Sequence, residues 1–575
     1  MKEQIREFLE NGQFEEADAY MNEHITAESY DDDIAIFDGT IGLCYGDDNR
    51  VWQACANGLA LNPKNYELYV ILGEYYLPKN LNQAYLCYEN ALFFCDNEED
   101  KAVINEALEK ILITGKVTVR KASFVILSYN LLDYTSMCID SIRLTVPESA
   151  REIVVVDNAS EDGSVAWLRE QKDVVLVENS ENAGFPKGCN IGIEAANREN
   201  DIFLLNNDTL MIDNSLFWLR MGLYEDEKVG TTGSVANYVG NLQQVASNIT
   251  DVNELMRYGI LNNVPTEYPY EEKLFLIGFA LLIKREVLNI VGNLDERFTP
   301  GNFEDNDYGM RVLQAGYKNV LCKNSFIIHF GSKSFKKEVN KYADVMRINA
   351  QKFQDKWDID PRSYFYPKQE FIKMIDEPMD KKMNILEIGC GCGVLLGYLK
   401  GLYPNANVFG VENRENLAEF AKCMGNVICA EYENLDLPWE KKSFDYLVVN
   451  DILEKITKPD EVLKSVRKYM KKGGKIILNA HNPKHYSTIL SLLFKNEFTY
   501  SDSKRCGCNM YTATELSKIM KHCGYKIEVI GYNSMGVTEA YIDNAIDKLL
   551  EMTGCNDKDT YLAYQYIVKA TPDNN

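Results

Sequence analysis

The chain of 575 residues is 46% hydrophobic and 26% charged and carries a formal net charge of −25. A single hydrophobic core rarely grows beyond about 250–300 residues, so this composition predicts several globular domains and excludes a disordered chain. The excess of negative charge argues against nucleic acid or an anionic membrane as a principal partner, because both would repel such a surface.

Targeting signals and cysteine usage indicate where the protein works. No basic-then-apolar segment opens the sequence, and the longest apolar run, Leu274 to Ile283, is about half a membrane span. The fifteen cysteines are scattered and odd in number, which is typical of free thiols in a reducing compartment. We therefore expect a cytoplasmic protein without stable membrane insertion. A zinc site at Cys506, Cys508, His522 and Cys523 is the weaker alternative, because this spacing matches no zinc module.

Residues 1–115 have the apolar spacing of helices, as in Ile5-Arg-Glu-Phe8-Leu9, and are predicted to form an all-helical domain. Within this region, residues 61–91 resemble one tetratricopeptide repeat, with Leu72-Gly-Glu-Tyr75 followed by alanines at positions 84 and 91. One or two helical hairpins cannot build a long solenoid, so we expect the unit to cap the neighbouring domain or to form a short groove. A groove would recruit a protein acceptor. The alternative is that the aromatic residues only pack between helices.

Between residues 116 and 370 the pattern changes to short buried strands separated by helices. Apolar runs at 122–127, 152–156, 174–177 and 202–205 predict four strands, and their alternation with helices predicts a parallel sheet. Polar residues follow each run, at the edge where open α/β sheets bind ligands. These residues are Ser128-Tyr129-Asn130, Asp157-Asn158-Ala159-Ser160, Asn182 to Asn190 including Lys187, and Asn206-Asn207-Asp208.

The polar strand ends have the chemistry of a nucleotide-sugar site. Oxygen donors from Asn206 to Asp208 suit a hard divalent cation, which is useful where a diphosphate must be held and released. The alternative is an ordinary turn that closes a strand. Asp157 can accept hydrogen bonds from a base or ribose, and Gly184 lets the backbone come close to a ligand. The helix predicted to start near Lys187 offers amide donors to a phosphate.

Taken together, residues 122–335 resemble a family 2 glycosyltransferase with the GT-A fold. The likeness continues downstream in Gly278, Asn293-Leu-Asp295-Glu-Arg-Phe298, Glu304-Asp305-Asn-Asp307-Tyr308 and His329. Many relatives carry two aspartates in the metal motif, whereas the first position here is Asn206, which removes one negative charge at the metal. The resemblance implies a nucleotide-sugar donor bound by Tyr129, Asn130, Asp157, Asn182, Lys187 and Asn206.

The same resemblance implies roles in catalysis. Asp208 would bind Mg²⁺ or Mn²⁺ at the donor diphosphate, with His329 as a further ligand. Asp305 would be the general base that takes the proton of the acceptor hydroxyl, so that a single displacement inverts the anomeric carbon. Glu304 lies beside Asp305 and is assigned to the same catalytic group. The alternative is the acidic first turn of an ordinary helix.

From residue 371 onward the sequence predicts a second α/β domain. A strand at 384–388 enters Gly389-Cys-Gly391-Cys-Gly393, where alternating glycines permit a tight turn and close approach of a ligand. Further strands are predicted at 407–411, 427–430, 444–449 and 470–478, and the first three end in Glu412, Glu431 and Asn450-Asp451. Over residues 383–480 the chain resembles a class I methyltransferase that uses S-adenosylmethionine.

This second resemblance implies a cofactor site in which Glu387, Gly389, Gly391 and Gly393 hold the methionine part. Glu412 would bind the ribose hydroxyls and Glu431 with Tyr432 the adenine, and Asp451 belongs to the same cofactor-binding group. Family members often have His after Leu453-Glu454, whereas Lys455 stands here, so no base is assigned at that position. His481 and His485 follow the fifth strand, and either can accept a proton from an acceptor hydroxyl.

The sequence therefore predicts a multidomain α/β protein with a helical domain at 1–115, a GT-A domain at 116–370 and a Rossmann-like methyltransferase domain at 371–575. We expect it to transfer a sugar to a glycan or glycoprotein acceptor, such as a surface filament protein, and to methylate the glycan. The fusion would raise the local concentration of one product near the second site. The alternatives are a scaffold in which one or both catalytic folds only bind ligand, and a small-molecule methyltransferase with an accessory sugar domain.

Overall fold

The computed structural model describes residues 1–331, 339–433, 435–495, 509–534 and 540–573. The chain divides into two compact units, Met1–Asp360 and Pro361–Asn575. Cys506 and Cys508 of the zinc alternative lie outside the described residues. Among the helices of the described part, none is both long and apolar enough to cross a membrane.

The N-terminal region is helical, as the sequence predicts. Its helices are α1 (Lys2–Glu10), α2 (Phe14–His24), α3 (Asp32–Tyr45), α4 (Asp48–Leu61), α5 (Tyr66–Tyr76), α6 (Leu81–Phe94) and α7 (Glu98–Ile113). Each of α3 to α7 follows an Asp or Asn whose side chain accepts a hydrogen from a first-turn amide, a donor that the helix itself leaves unpaired. Helices α5 and α6 pack closely because Gly73 leaves room for the Tyr88 ring, 2.8 Å from where a Cβ would lie. The assignment of this pair as a tetratricopeptide repeat stays a prediction.

The rest of the first unit is built on a mixed sheet of eight strands. The strands of the unit are β1 (Ala122–Ser128), β2 (Arg151–Asp157), β3 (Val174–Glu178), β4 (Asp201–Asn206), β5 (Thr209–Leu210), β6 (Val229–Val235), β7 (Tyr270–Lys273), β8 (Ala280–Ile283), β9 (Lys318–Phe326) and β10 (Ile328–His329). The order in the large sheet is β3-β2-β1-β4-β8-β6-β9-β7, and β5 and β10 form a small antiparallel pair.

The first four strands of this sheet run parallel, but β8 pairs antiparallel with β4 and with β6, and β7 pairs antiparallel with β9. The prediction of a parallel sheet is confirmed for the four strands on which it rests, β1 to β4, and does not extend to the antiparallel strands beyond β4. The physical reason is that the apolar run from Leu274 to Ile283 re-enters the sheet beside β4 from the opposite direction, without a helical crossover. The register of β1 with β2 and β4 still places Ser128 beside Asp157 and Leu127 beside Asn206.

Helices connect these strands and flank the sheet. They are α8 (Leu132–Thr145), α9 (Ser164–Arg169), α10 (Phe185–Ala195), α11 (Ser215–Leu223), α12 (Val252–Asn262), α13 (Arg285–Val291), α14 (Glu304–Gln314) and α15 (Val339–Trp357), with 3₁₀ turns at Glu148–Ala150 and Glu296–Phe298. The N-terminal helices pack on α11: Arg220 of α11 forms a buried ion pair with Glu89 of α6, and Gln83 donates to the carbonyl of Met221 at 3.1 Å. The helical region and this sheet thus share one core.

The second unit has one sheet of seven strands in the order β13-β12-β11-β14-β15-β17-β16. The strands are β11 (Asn384–Ile388), β12 (Asn407–Glu412), β13 (Asn426–Cys429), β14 (Phe444–Val449), β15 (Met470–His481), β16 (Tyr525–Asn533) and β17 (Gln565–Pro572). The first five are parallel, and β17 pairs antiparallel with β15 and β16. The strand order reverses between β11 and β14, which is where doubly wound sheets bind their ligands.

The helices of the second unit are α16 (Pro361–Tyr364), α17 (Gln369–Met374), α18 (Val394–Leu402), α19 (Glu415–Met424), α20 (Pro459–Arg467), α21 (Tyr486–Leu490), α22 (Ala513–His522), α23 (Ala540–Thr553) and α24 (Asp559–Leu562), with a π-helical turn at Ser491–Lys495. The core lies between the sheet and α20 and α22, through residues such as Leu463, Leu516 and Ile476. The strands from β11 to β15 start and end close to where their apolar runs predict.

Candidate active sites

Asp208 and His329 lie side by side just beyond β4. The pairing of β5 with β10 sets His329 opposite Thr209, the residue that follows Asp208. His329 Nε2 is 3.3 Å from Asp208 Oδ1, and both residues are 6% exposed. His329 Nδ1 lies 2.6 Å from the carbonyl oxygen of Tyr238. Because a carbonyl can only accept, Nδ1 carries a hydrogen, and in the neutral imidazole Nε2 then presents the lone pair that a metal ligand needs.

These two side chains fit a divalent cation as part of its ligand set. Among the described residues, no group of three or more His, Cys, Asp or Glu side chains is arranged to hold a metal alone. Asn206 Nδ2 lies 3.5 Å from His329 Nε2, so the remaining motif residue faces the same place with an amide rather than a second carboxylate. Two protein ligands leave coordination positions for diphosphate oxygens and water, which is how Mg²⁺ is commonly held with a phosphate substrate.

The loops after β1 and β2 are locked to each other by hydrogen bonds. Asp157 is fully buried, and its carboxylate accepts hydrogens from the amide and the hydroxyl of Ser160, at 2.8 and 2.6 Å. The backbone N–H of Asn130 donates to the Ser160 hydroxyl at 2.7 Å, and the side-chain Oδ1 of Asn130 accepts from the backbone N–H of Glu161 at 2.8 Å. Tyr129 is exposed. In this structure Asp157 and Asn130 shape the loop, and their contact with a nucleotide stays a prediction.

The start of α10 is less open to a phosphate than the sequence predicts. Asn182 accepts the amide hydrogen of Gly184 at 2.9 Å, which turns the chain into the helix. The amide of Phe185 donates to the carbonyl of Pro300 at 2.8 Å, and the next residue is a proline without a donor. Lys187 is exposed, and it is the first residue of the helix after Phe185 and Pro186 whose backbone amide could donate to a ligand. Binding of a phosphate there stays a prediction.

Asp305 lies in the first turn of α14 and accepts backbone hydrogen bonds on both oxygens. Its Oδ2 accepts from the amide of Gly278 at 3.1 Å, and its Oδ1 from the amide of Asn306 at 2.8 Å. Burial raises the pKa of Asp305, and these amides partly oppose the rise. A carboxylate with a raised pKa is a stronger proton acceptor, which suits a general base.

Glu304 has a different environment from its neighbour. It is 5% exposed, and its Oε2 atom has no hydrogen-bond partner among the described residues. Burial, together with the adjacent charge of Asp305, raises the pKa of Glu304 well above its ordinary value. The pKa is raised further for Glu304 than for Asp305, so of these two neighbouring carboxyl groups Glu304 is the one that more readily keeps a proton.

The two halves of the candidate sugar-transfer site are joined through Gly278-Phe279. The amide of Gly278 binds Asp305, as described above. The carbonyl of Phe279 accepts the amide hydrogen of Asn206 at 2.8 Å, and its ring stacks on His329 with the centroids 5.1 Å apart. A path of direct contacts therefore runs from the candidate base to the candidate metal ligands.

Asn349 of α15 holds the segment that precedes Asp305. It is 1% exposed, and its Nδ2 donates to the carbonyls of Phe298 and Gly301 at 2.6 and 2.9 Å. Asn302 and Phe303, which follow Gly301, adopt left-handed φ angles of 72° and 74°. Such angles cost non-glycine residues about 1–3 kcal/mol each, so the segment needs the support of Asn349. The sequence gives no signal for Asn349, because a single Asn in an amphipathic helix belongs to no motif.

Asp307 binds other parts of the protein rather than the candidate site. It is fully buried, and its carboxylate pairs with Arg311 at 2.8 Å and with Lys356 at 2.5 Å. Trp357 donates its indole hydrogen to the same carboxylate at 2.9 Å. Asp307 thus ties α14 to the end of α15.

In the second unit, the glycines after β11 stand where no side chain fits. Gly389, Gly391 and Gly393 have φ angles of 83°, 55° and 80°, which other residues rarely adopt. A Cβ on Gly389 would lie 2.5 Å from the carbonyl oxygen of Asn450, and one on Gly391 would lie 2.7 Å from a ring carbon of Tyr364. The loop presents bare backbone at the point where the strand order reverses.

Glu412 ends β12 and faces this glycine loop. It is 3% exposed, and its Oε2 accepts the amide hydrogen of Gly391 at 2.9 Å and the hydroxyl hydrogen of Tyr432 at 3.0 Å. Burial and the Glu412 charge raise the pKa of Tyr432 well above its ordinary value, so the hydroxyl remains a donor. Glu431 is exposed. The contacts of Glu412, Glu431 and Tyr432 with ribose and adenine stay predictions. Two of these three side chains, Glu412 and Tyr432, are in direct contact.

Glu387 is buried with one oxygen unsatisfied. Its Oε1 accepts a hydrogen from Asn450 Nδ2 at 2.9 Å, while its Oε2 has no partner among the described residues. Burial, with a contribution from the nearby Glu412, raises the pKa of Glu387 to about 8. A cation brought by a ligand, such as an amino-acid ammonium, would pair with this carboxyl and favour its ionised form.

Asp451, after β14, is occupied by protein donors. Lys368 Nζ lies 2.7 Å from its Oδ2, and Asn479 and Gln565 donate to its Oδ1 at 2.5 and 2.9 Å. Burial opposes ionisation, but the Lys368 ammonium holds the pKa of Asp451 well below its ordinary value. Its assignment to the cofactor group stays a prediction, and its contact with Lys368 could not be read from the sequence.

The two histidines near the end of β15 differ in their surroundings. His481 Nδ1 lies 2.8 Å from Glu454 Oε1, and its Nε2 lies 3.0 Å from the side-chain amide nitrogen of Gln565. His485 is 1% exposed, with Nδ1 2.7 Å from the Ser487 hydroxyl and Nε2 without a partner among the described residues. Burial lowers the pKa of His485 to about 4. Only His481 has a carboxylate that fixes its tautomer.

Two stretches of the chain match known protein families. Residues 123–292 match the family described as glycosyl transferase family 2, and residues 362–529 match a family described as a methyltransferase domain. Among curated proteins, the chain is 23% identical over 294 residues to an uncharacterized protein of Methanocaldococcus jannaschii, covering 47% of this chain and 74% of the relative. It is 24% identical over 179 residues to a demethylmenaquinone methyltransferase of Lactobacillus johnsonii, covering 27% of this chain and 73% of the relative.

Solved structures resemble each part. A mannosyltransferase from Pyrobaculum calidifontis, solved in complex with GDP-Man and Mn²⁺, is 18% identical and covers 40% of this chain and 64% of its own, with a TM-score of 0.30. An S-adenosylmethionine-dependent methyltransferase from Aquifex aeolicus is 14% identical and covers 38% of this chain and 95% of its own, with a TM-score of 0.26. The two family matches show that the chain carries a glycosyltransferase family 2 domain at residues 123–292, fused to a methyltransferase domain at residues 362–529 and preceded by a helical region.

Proposed function

We propose that the protein is a bifunctional transferase. It moves a sugar from a nucleotide-sugar donor to a glycan or protein acceptor, with inversion, and methylates the glycan with S-adenosylmethionine. The two family matches support the two kinds of transfer. The division into a helical domain at 1–115, a sugar-transfer domain at 116–370 and a methyl-transfer domain at 371–575 stays a prediction, and we propose that the methyl-transfer part begins with the second compact unit at Pro361.

One observation carries the sugar-transfer half of this proposal. It is the path of contacts from Asp305 through Gly278-Phe279 to His329 and Asp208. A displacement at a sugar carbon needs a group that binds the leaving diphosphate and a group that accepts the incoming proton, both held in fixed positions. The path joins these two groups through direct contacts.

The residues of this site divide the chemistry between them. Asp208 and His329 Nε2 would hold Mg²⁺ or Mn²⁺, an ion that offsets the negative charge of a departing nucleoside diphosphate. Asp305 would take the proton from the acceptor hydroxyl as that oxygen bonds to the sugar. Glu304, whose pKa is raised by burial and by the charge of Asp305, would keep its proton and add no second negative charge at the base. Asn349 keeps the segment before Asp305 in position.

The methyl-transfer half rests on the carboxyl groups around the glycine loop. Glu387 has an unpaired oxygen for an amino-acid ammonium, and Glu412 can exchange its bond with the Tyr432 hydroxyl for ribose hydroxyls. When bound, S-adenosylmethionine supplies an electrophilic methyl group. We propose His481 as the base, since Glu454 accepts its Nδ1 hydrogen and leaves Nε2 as the proton acceptor. The side-chain amide of Gln565, which contacts Nε2 of His481, would have to move away so that this atom can meet the acceptor hydroxyl.

We assign the helical region to acceptor recruitment. Support comes from a polar cavity of about 850 Å³ between the N-terminal helices and residues 265–267, lined by Asp18, Asp38, Arg50, Trp52 and Glu267 among others. The indole hydrogen of Trp52 has no acceptor among the described residues. A peptide carbonyl that reached the indole would satisfy that donor, and a basic side chain of the peptide would complement Glu267, since Asp18 and Asp38 already pair with Arg50.

The experiment is an assay of purified protein with a panel of nucleotide sugars, with and without Mn²⁺. We expect slow, metal-dependent release of nucleotide that is lost in Asp208→Ala. Absence of release with every common donor would favour a scaffold that only binds ligand. With the acceptor supplied, mass spectrometry should find the added sugar and, when S-adenosylmethionine is present, the added methyl group on the same glycan. Methylation of small metabolites alone would contradict the proposal.

A further inference from the structure

The segment of residues 361–374, which we call the strap, crosses the edge of the methyltransferase sheet where the parallel strands end. It consists of α16, α17 and the residues between them. Two of its aromatic side chains anchor it: Phe365 is 1% exposed and Phe371 is fully buried. No motif in the sequence marks this segment as part of a site.

The far end of the strap is held at the outer strands. Glu370 Oε1 accepts a hydrogen from Asn533 Nδ2 at 2.9 Å, at the end of β16. Lys368 Nζ lies 3.1 Å from Gln565 Oε1, at the start of β17. Both strands are antiparallel partners in the sheet, so these ends lie on the same edge as the carboxyl ends of β14 and β15.

The middle of the strap reaches the loop after β14. The Lys368 ammonium lies 2.7 and 2.9 Å from the two oxygens of Asp451, and its side chain is 23% exposed. An ion pair that is partly shielded from water and made to both carboxylate oxygens is geometrically specific. Lys368 therefore fastens the strap to the turn after β14, next to the point where the strand order reverses.

The near end of the strap covers the glycine loop. A ring carbon of Tyr364 lies 2.7 Å from where a Cβ of Gly391 would be, so only glycine allows the ring to sit there. The guanidinium carbon of Arg414, two residues after Glu412, lies 5.9 Å from the centre of the same ring. The strap thus contacts the loops after β11, β12 and β14, which are three of the four loops predicted to hold the cofactor.

We propose that the strap is a wall of the S-adenosylmethionine pocket, in which Tyr364 closes the glycine loop and Lys368 acts as a latch on Asp451. This inference rests on the proposed methyltransferase function. Ligand pockets bury most of the ligand surface, and the carboxyl edge of a sheet is an open crevice until another element covers it. The strap is the element whose side chains reach all three loops. Lys368 acts through Asp451 and is a positioning residue.

The test is calorimetric binding of S-adenosylhomocysteine to the full-length chain. We expect Tyr364→Ala and Lys368→Met to raise the Kd about tenfold, the change typical of one lost aromatic contact or one partly buried ion pair. Tyr364→Phe and Lys368→Arg should restore most of the affinity, since they keep the ring and the charge. Because Lys368 acts through Asp451, Lys368→Met combined with Asp451→Asn should cost less than the sum of the two changes.

Matched controls are Tyr366→Ala and Lys373→Met, which change an exposed residue of the same kind in the same segment. A second readout does not depend on any variant folding: in the wild-type protein, the ligand should slow hydrogen exchange at residues 361–368. Unchanged or tighter binding by Tyr364→Ala, or exchange that ignores the ligand, would overturn the strap as a pocket wall. Failure of the wild-type protein to bind at all would instead overturn the proposed methyltransferase function.

Discussion

The Nε2 atom of His329 lies 3.3 Å from Oδ1 of Asp208, although the two residues are far apart in the sequence. The carbonyl of Tyr238 fixes the hydrogen of His329 on Nδ1. With the imidazole neutral, the pair presents a lone pair and a carboxylate to the same space, an arrangement that suits a divalent cation.

Removing the side chain of Asp208 or His329 should change the metal requirement, whereas removing a distant histidine should not. We expect Asp208→Ala to abolish metal-dependent hydrolysis of a nucleotide sugar, and His329→Phe to raise the Mn²⁺ concentration for half-maximal activity at least about tenfold. His24→Phe, in α2, is the control and should leave the requirement unchanged. A Mn²⁺ titration of the activity measures this. An unaltered requirement in His329→Phe would remove the histidine from the ligand set.

Restoring the second carboxylate should strengthen metal binding. Asn206 faces His329 with an amide, so Asn206→Asp adds a negative charge at the site. We expect tighter binding of Mn²⁺ by this variant in the absence of nucleotide, measured by calorimetry. Asn207→Asp adds the same charge at a side chain that bonds to Thr135 and should change the affinity less. Equal effects of the two variants would mean that the charge acts only at long range.

Asp305 and Asp307 should separate chemistry from stability. Asp305→Asn removes the proton acceptor, so we expect it to lower the rate of sugar transfer at least about 10²-fold. Nucleotide binding and the melting temperature should be unchanged. Asp307→Asn leaves Arg311 and Lys356 without their buried partner and should destabilise the first unit by about 3–5 kcal/mol. Thermal unfolding and single-turnover transfer distinguish the two. Loss of nucleotide binding in Asp305→Asn would assign that residue a structural role.

Glu387 should make stability depend on pH with a defined sign. An unfolded Glu has its ordinary pKa near 4.5, and burial raises the folded value to about 8. Folding then favours the protonated form, so this contribution to stability is complete below pH 4.5 and is lost as pH rises through 8. Glu387→Gln cannot ionise, and its melting temperature should rise relative to the wild type across this window. A constant difference from pH 4 to 9 would contradict the raised pKa.

The two histidines near the end of β15 should respond differently to substitution. His481→Asn is expected to lower methyl transfer to the sugar-bearing acceptor by about 10²–10⁴-fold with S-adenosylmethionine affinity unchanged, because the proton acceptor is lost. Glu454→Gln should show a weaker loss, since Glu454 only fixes the tautomer of His481. His485→Asn should retain transfer, because burial keeps that imidazole a poor base. Product formation and calorimetry check this, and a larger loss in His485→Asn would exchange the two roles.

The sequence alone determined the elements and the local motifs. Buried apolar runs predicted the parallel strands from Ala122 to Asn206 and from Asn384 to His481, because a strand buried on both faces must be continuously apolar. Glycine spacing predicted the loop at Gly389 to Gly393, since each of these residues needs a positive φ. Motifs such as Asn206 to Asp208 could be read because their residues are neighbours in the chain.

Only the tertiary structure decided which distant side chains meet. No local pattern in the sequence marks the antiparallel entry of β8 beside β4, the amide of Asn349 on the segment before Asp305, or the positions of Tyr364 and Lys368 against the loops after β11 and β14. Each depends on packing between segments that are tens of residues apart in the sequence. Asp305 and His329 show the same limit: motifs name both residues, but the contacts through Gly278-Phe279 that join them exist only in the folded chain.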